Sequence, residues 1–308
     1  LPGEHRKIAM KCGQSSLGLA RFGASLFVLL VSLVMNPLHA QQDSEYVRFV
    51  QGNAQWEGEL QTAIVSFEND AGIQLNLVAA VHLGEEKYYA ELNDYFRTQD
   101  VVLYELVAEP YQVPVRGGGE SNPSLIGFIQ QSMAAFLNIA FQLDEIDYTQ
   151  PNFLHADLTP SQLAELMASK DENFFTVFLN LAMAQIAEQN ASPGEPLSSF
   201  TVLSLISAMN SQNQNAALKF LVAQELGRSG SVIVGEALEQ QLTLLGDRNK
   251  AALRVLGEAL AEPDFRQISI FYGAAHMPGI EREITATMGF ARTGLEWKSA
   301  WVIPEVLL

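Results

Sequence analysis

A chain of 308 residues that is 48% hydrophobic and only 17% charged can bury a sizeable core, which excludes a disordered or low-complexity protein. Its formal net charge of -17, with 35 acidic against 18 basic residues and no basic stripe, argues against nucleic acid as a partner. A single cysteine, Cys12, rules out a disulfide framework within one chain.

Residues 1–40 read as an export leader. Arg6, Lys7, Lys11 and Arg21 precede the uncharged run FGASLFVLLVSLVM (22–35), and NPLHA follows, ending in the small residue Ala40. The run is short for a bilayer core, which favours cleavage before Gln41. Leu38 is bulky for a position three residues before cleavage, so an uncleaved N-terminal anchor, and membrane association through it, is the alternative. The expectation is an exported chain, periplasmic or extracellular. Its mature part keeps three histidines: His82, His155 and His276.

Residues 45–83 are predicted as strands. TAIVSFENDAGIQLNLVAAVHL holds two apolar runs around the turn cluster ENDAG, the signal of a hairpin. The second run does not alternate, as expected of a strand buried on both faces. GEEKYYAELNDYFRTQD follows, with Tyr88, Leu92 and Phe96 at helical spacing and acids at its start, where the helix dipole favours them. VVLYELV (101–107) returns to strand, completing a strand–helix–strand unit. VRGGGESNP (115–123) is a break, and about 121–262 is predicted as a large, almost wholly helical insertion. Its uncharged part, SLIGFIQQSMAAFLNIAFQL, contains Gln130, Gln131, Ser132, Asn138 and Gln142, which favours a buried or substrate-lining helix over a membrane span. QISIFYGAAHM (267–277) is again a strand, then a short helix, then GLEWKSAWVIP (294–304), read as an edge hairpin or meander. The expected fold class is α+β: an α/β-type sheet core over 41–308, built from two similar strand–helix halves around the insertion.

His82 and His276 each end a buried strand and are flanked by small residues: Ala79, Ala80 and Gly84 in one case, Gly273, Ala274, Ala275 and Gly279 in the other. Imidazole is the commonest ligand for divalent first-row metals, and strand ends fix ligand direction while the loops above leave space. Glu105 is an acid in an otherwise apolar strand, and burying it alone would be costly. A metal, a histidine or an arginine is its natural partner, the last as a fold-specifying ion pair. His155 and Asp157, two apart in HADLT, could face one cavity as a secondary shell; alternatively, Asp157 caps the helix starting near Pro160. Arg248 and Asn249 in LGDRNKAAL fall inside a helix, where the arginine could hold a carboxylate or lie on a solvated face. Phosphate loops, nucleophile elbows, H-E-x-x-H helices and paired-cysteine sites are absent from the sequence.

These motifs together resemble the TraB/GumN/TIKI superfamily, related to ChaN-like and erythromycin-esterase-like proteins. LVAAVHLGEEKYYAELNDYFRTQDVVLYEL is similar to that family's first G-x-x-H unit with its helix and acidic strand; FYGAAHMPGIEREI is similar to the second, and GDRN to the preceding Arg-Asn helix motif. The resemblance implies His82 and His276 as metal-site histidines, Glu105 as their acidic partner, and Arg248 with Asn249 in the catalytic or substrate shell. It also implies a metal-dependent protease or related hydrolase, TIKI-like. In this chain Ala79 stands where the family's first motif has glycine.

The expected function is therefore an exported metal-dependent hydrolase, peptidase-like, acting on a peptide or small-molecule substrate. A divalent ion (manganese, cobalt, zinc or iron) would be held by His82, His276 and Glu105, with Glu105 as ligand or general base. The alternatives are a non-catalytic haem or small-ligand binding protein on the same fold, or a degenerate scaffold member.

Overall fold

The computed structural model describes residues 46–109, 111–114, 139–172, 202–229 and 242–305. The expected leader, the break at 115–123 and the uncharged run from 124 to 138 lie outside the described residues.

The fold is α+β, organised on one mixed seven-stranded sheet. Strands β1 (Val47–Gln51) and β2 (Gly58–Glu68) precede β3 (Gln74–Ala80). β2 pairs antiparallel with β3 through the predicted hairpin. The Asn69 side chain accepts from the backbone N–H groups of Ala71 and Ile73, and Gly72 takes the left-handed conformation (φ 72°) that the turn needs. A short strand β4 (Leu83–Gly84) leads into helix α1 (Glu86–Phe96), which buries Tyr88, Tyr89, Leu92 and Phe96. Phe96 packs on Phe271 and Phe153, with ring centroids 4.8 and 5.5 Å away. Strand β5 (Val101–Tyr104) follows.

Residues 139–172 contribute β6 (Ala140–Phe141), the single-turn helix α2 (Gln142–Glu145), β7 (Phe153–His155) and helix α3 (Pro160–Ser169). Helices α4 (Val202–Met209), α5 (Gln214–Ser229) and α6 (Arg248–Leu260) come next, α6 being entered from a π-helical turn at Thr243–Asp247. Strand β8 (Gln267–Gly273), a 3₁₀ turn (Ala274–His276), helix α7 (Met277–Thr287) and strand β9 (Ala291–Ile303) complete the described chain.

β2 carries β9 along one whole edge and shares its other edge between β1 and β3. Beyond β3 the sheet is parallel, in the order β3-β8-β5-β7. Leu75, Leu77, Val102, Leu103, Ile268 and Ile270 are fully buried, which accounts for apolar runs without alternation. Among the described residues no helix is long and apolar enough to cross a membrane.

Three expectations are corrected. The strand expected over 101–107 ends at Tyr104, so Glu105 is the first residue beyond it, although its N–H still donates to the Phe271 carbonyl (3.1 Å). The stretch expected to be almost wholly helical contains β7, the outermost strand of the parallel layer. Three residues are too few for a periodic signal; pairing with β5 makes them a strand. GLEWKSAWVIP is part of one long strand, not a hairpin, because its whole length finds the edge of β2.

Candidate functional site

Four parallel strands end on one rim of the sheet, the position where open α/β layers place their sites. His82 lies two residues past β3, Glu105 directly after β5, His276 in the turn after β8, and Asp157 two residues past β7. Arg248 and Asn249 are the first residues of α6.

The centre is organised around Gly273, the last residue of β8. A Cβ at this position would lie 3.2 Å from Glu105 Oε2, 3.7 Å from His82 Nε2 and 3.8 Å from His276 Cδ2. The acid and both imidazoles therefore meet in the space a side chain would fill. The Gly273 N–H donates to Glu105 Oε2 at 2.5 Å, and His276 Nε2 stands 3.5 Å from Glu105 Oε1.

Each imidazole is oriented through its far nitrogen. His276 Nδ1 lies 2.7 Å from Asn249 Oδ1, and Asn249 Nδ2 donates to the His276 carbonyl (3.4 Å), which sets the amide orientation. An acceptor at Nδ1 places the neutral ring's proton there and leaves Nε2 as a lone pair. His82 repeats the arrangement: its Nδ1 is 3.2 Å from Gln142 Oε1. His276 is buried and His82 is exposed, so the centre opens on the His82 side.

Glu105 Oε1 accepts from Arg248 Nη2 at 2.7 Å, and Arg248 also donates through Nε (3.0 Å) and Nη2 to Asp157. The side chains of Glu105, Arg248 and Asp157 are 9, 12 and 0% exposed, a buried acid–base–acid row. Burial by itself would raise the Glu105 pKa; positive charge at His276 and His82 in their protonated forms, together with the Arg248 guanidinium, outweighs it and holds the carboxyl well below the usual range. The two acids likewise hold the Arg248 guanidinium above its ordinary value against the effect of burial. A carboxyl whose folded pKa is depressed contributes stability that is complete above its unfolded pKa of about 4.3 and lost as pH falls through the folded value. The stability difference between wild type and Glu105→Gln is therefore expected to be constant through neutral pH and to shrink only in acid. Urea titrations at stepped pH measure it, and a difference that instead collapses near pH 7 would contradict this assignment.

The remaining expected residues are distributed differently. Asp157 does not cap the helix near Pro160; Thr159 does, in a capping box with Gln162, and Asp157 serves Arg248. Arg248 is not on a solvated face, and it begins its helix rather than lying inside it. His155 separates from Asp157: its Nε2 bonds to the Leu106 carbonyl (2.6 Å) and its ring packs against Tyr104. Ala79 lies opposite Tyr272 in the strand register, whereas Gly273 lies opposite Ala80. Successive strand side chains point to opposite faces, so the Ala79 methyl is directed away from the face on which Gly273 opens. Its backbone is ordinary strand, the non-glycine residues at positive φ among those described being Trp56 and Asp171.

The donor set available to a cation is two Nε2 lone pairs beside one carboxylate, which is the nitrogen and oxygen chemistry that borderline divalent ions take. Among the described residues, no group of three or more His, Cys, Asp or Glu side chains is placed to hold a metal ion. The Glu105 oxygens already hold Arg248 and Gly273, which leaves the two imidazoles as the candidate ligands. Gln142 escaped the sequence reading as a site residue: it is one polar residue in an uncharged run, 60 positions from the ring it holds. Comparisons with protein-family models, curated proteins and solved structures returned no match.

Proposed function

We propose that this chain is a metal-dependent hydrolase, peptidase-like, whose divalent ion is held by the Nε2 atoms of His82 and His276 beside Glu105. The observation that carries the proposal is the convergence of His82 Nε2, the Cδ2 edge of the His276 ring and the Glu105 carboxylate over the bare backbone of Gly273, with His276 Nε2 3.5 Å from Glu105 Oε1. Charge balance supports it. Glu105 and Asp157 bring two negative charges and Arg248 one positive, so the buried row is net negative. A cation corrects that imbalance.

When bound, a divalent ion supplies Lewis acidity, polarising a scissile carbonyl and lowering the pKa of water. The chain's own residues supply placement. Asn249 and Gln142 orient the imidazoles; Arg248 and the Gly273 N–H hold Glu105 ionised. A carboxyl held that far below its usual pKa is a weak proton acceptor near neutral pH, which favours Glu105 as a charged neighbour or ligand over general base. The guanidinium of Arg248 is engaged with two acids, so its role is to position Glu105 rather than to receive a substrate carboxylate. The placement supports the resemblance to the TraB/GumN/TIKI superfamily, and export by a leader at 1–40 belongs to the same proposal.

The test is calorimetric titration of chelator-treated protein with Mn²⁺ and Zn²⁺, alongside mass-spectrometric assay of a mixed peptide library. The expected result is stoichiometric binding and cleavage that chelator removes and metal restores. Absence of binding by any divalent ion, or a haem Soret band without cleavage, would overturn the proposal.

A further inference from the structure

We infer that Gln142 is the positioning residue of His82, the counterpart of Asn249 on His276, and that it fixes His82 in the tautomer carrying its proton on Nδ1. Gln142, in an uncharged stretch, is 4% exposed. Burying an amide is unfavourable unless its polar atoms are satisfied, and here each has a defined partner. Its backbone N–H donates to the His82 carbonyl at 2.9 Å. Its Oε1 meets His82 Nδ1 at 3.2 Å, and its Nε2 donates to the Tyr148 hydroxyl at 2.8 Å. The amide oxygen thus faces the His82 ring and the amide NH2 faces the Tyr148 hydroxyl, and an acceptor facing Nδ1 calls for the neutral ring's proton there.

The turn that carries Gln142 is anchored independently of His82. Phe141 and Ala140 pair with Leu83 and Gly84 in a two-stranded ladder. On the other side, Asn93 of α1 donates to the Glu145 carbonyl (2.9 Å) and accepts from the Asp147 N–H (2.9 Å). Gln142 is thus held from both flanks, as a residue that orients another must be. Neutral imidazole has two tautomers of similar energy, and only the Nδ1–H form leaves Nε2 available toward Gly273. His82 is the exposed member of the histidine pair, so Gln142 supplies orientation that packing does not.

The consequence for metal affinity rests on the proposed function, whereas the tautomer assignment stands without it. Both are read in the full chain with isotopically labelled histidine, recorded metal-free above the ordinary imidazole pKa of about 6.5. Long-range proton–nitrogen correlations separate the two tautomers, and the His82 signal is identified by its loss in His82→Gln. Wild type is expected to show the Nδ1–H form at His82. Gln142→Leu is expected to lose that preference while the His276 signal stays unchanged, and Gln142→Glu, which keeps the acceptor, to retain it. Titration with Zn²⁺ should then weaken about 10–100-fold in Gln142→Leu and remain near wild type in Gln142→Glu. An Nε2–H form in wild type, or the same His82 signal in wild type and Gln142→Leu, overturns the inference. Simultaneous change at His82 and His276 in Gln142→Glu also overturns it, since the residue would then be a general packing element. Wild type that binds no Zn²⁺ but shows the Nδ1–H form would sink the hydrolase proposal and leave this assignment standing.

Discussion

Replacing Arg248 by methionine is expected to destabilise the fold by about 3–5 kcal/mol, because it leaves two carboxylates buried without their counter-charge. Glu105 and Asp157 are 9 and 0% exposed, and Arg248 bonds both. Methionine conserves most of the side-chain length, so the loss reports charge and hydrogen bonding more than packing volume. Glu105 would keep the Gly273 N–H and Asp157 the Leu158 N–H, and one donor each does not compensate an ionised group in this setting. Guanidinium unfolding measures the effect, with an unchanged m-value showing that stability alone moved. The combined variant Arg248→Met, Glu105→Gln, Asp157→Asn should recover part of the loss, since a buried ion row removed whole costs far less than one left half-occupied. A single-variant loss below about 1 kcal/mol, the range of exposed ion pairs, would show that the row is solvated and not a buried unit.

His82→Ala and His276→Ala are each expected to abolish stoichiometric divalent-metal binding, weakening it by at least about 100-fold, with hydrolysis lost in parallel. The two variants should differ in stability. His82 is exposed and makes its side-chain bond to Gln142, so truncation should cost about 0.5 kcal/mol or less. His276 is buried, bonded to Asn249 and packed edge-on against Tyr272 with ring centroids 5.2 Å apart, so its truncation should cost about 1–3 kcal/mol. His155→Ala is the control: its imidazole bonds to the Leu106 carbonyl, and metal binding should be untouched. Stoichiometric metal in both His82→Ala and His276→Ala would remove the imidazoles from the proposed centre.

The features legible in the sequence are local. The ENDAG turn, the spacing of Tyr88, Leu92 and Phe96, and the unbroken apolar runs ending at His82 and His276 follow from turn chemistry and periodicity, and each is present. A costly buried acid at Glu105 was equally legible, because ionised groups rarely enter apolar runs without a partner. Which partner it found was not. Non-local strand pairing puts β8 between β3 and β5, which places Gly273 under His82 and Glu105 and brings Arg248 across to both acids. The same ordering turned the Ala79 methyl to the opposite face, a matter of strand register that no single strand encodes. Gln142 and the three-residue strand β7 stayed hidden for a related reason. One polar residue among several in an uncharged run and a segment shorter than one period carry no signal of their own; their roles are set by the non-local partners they meet when the chain closes.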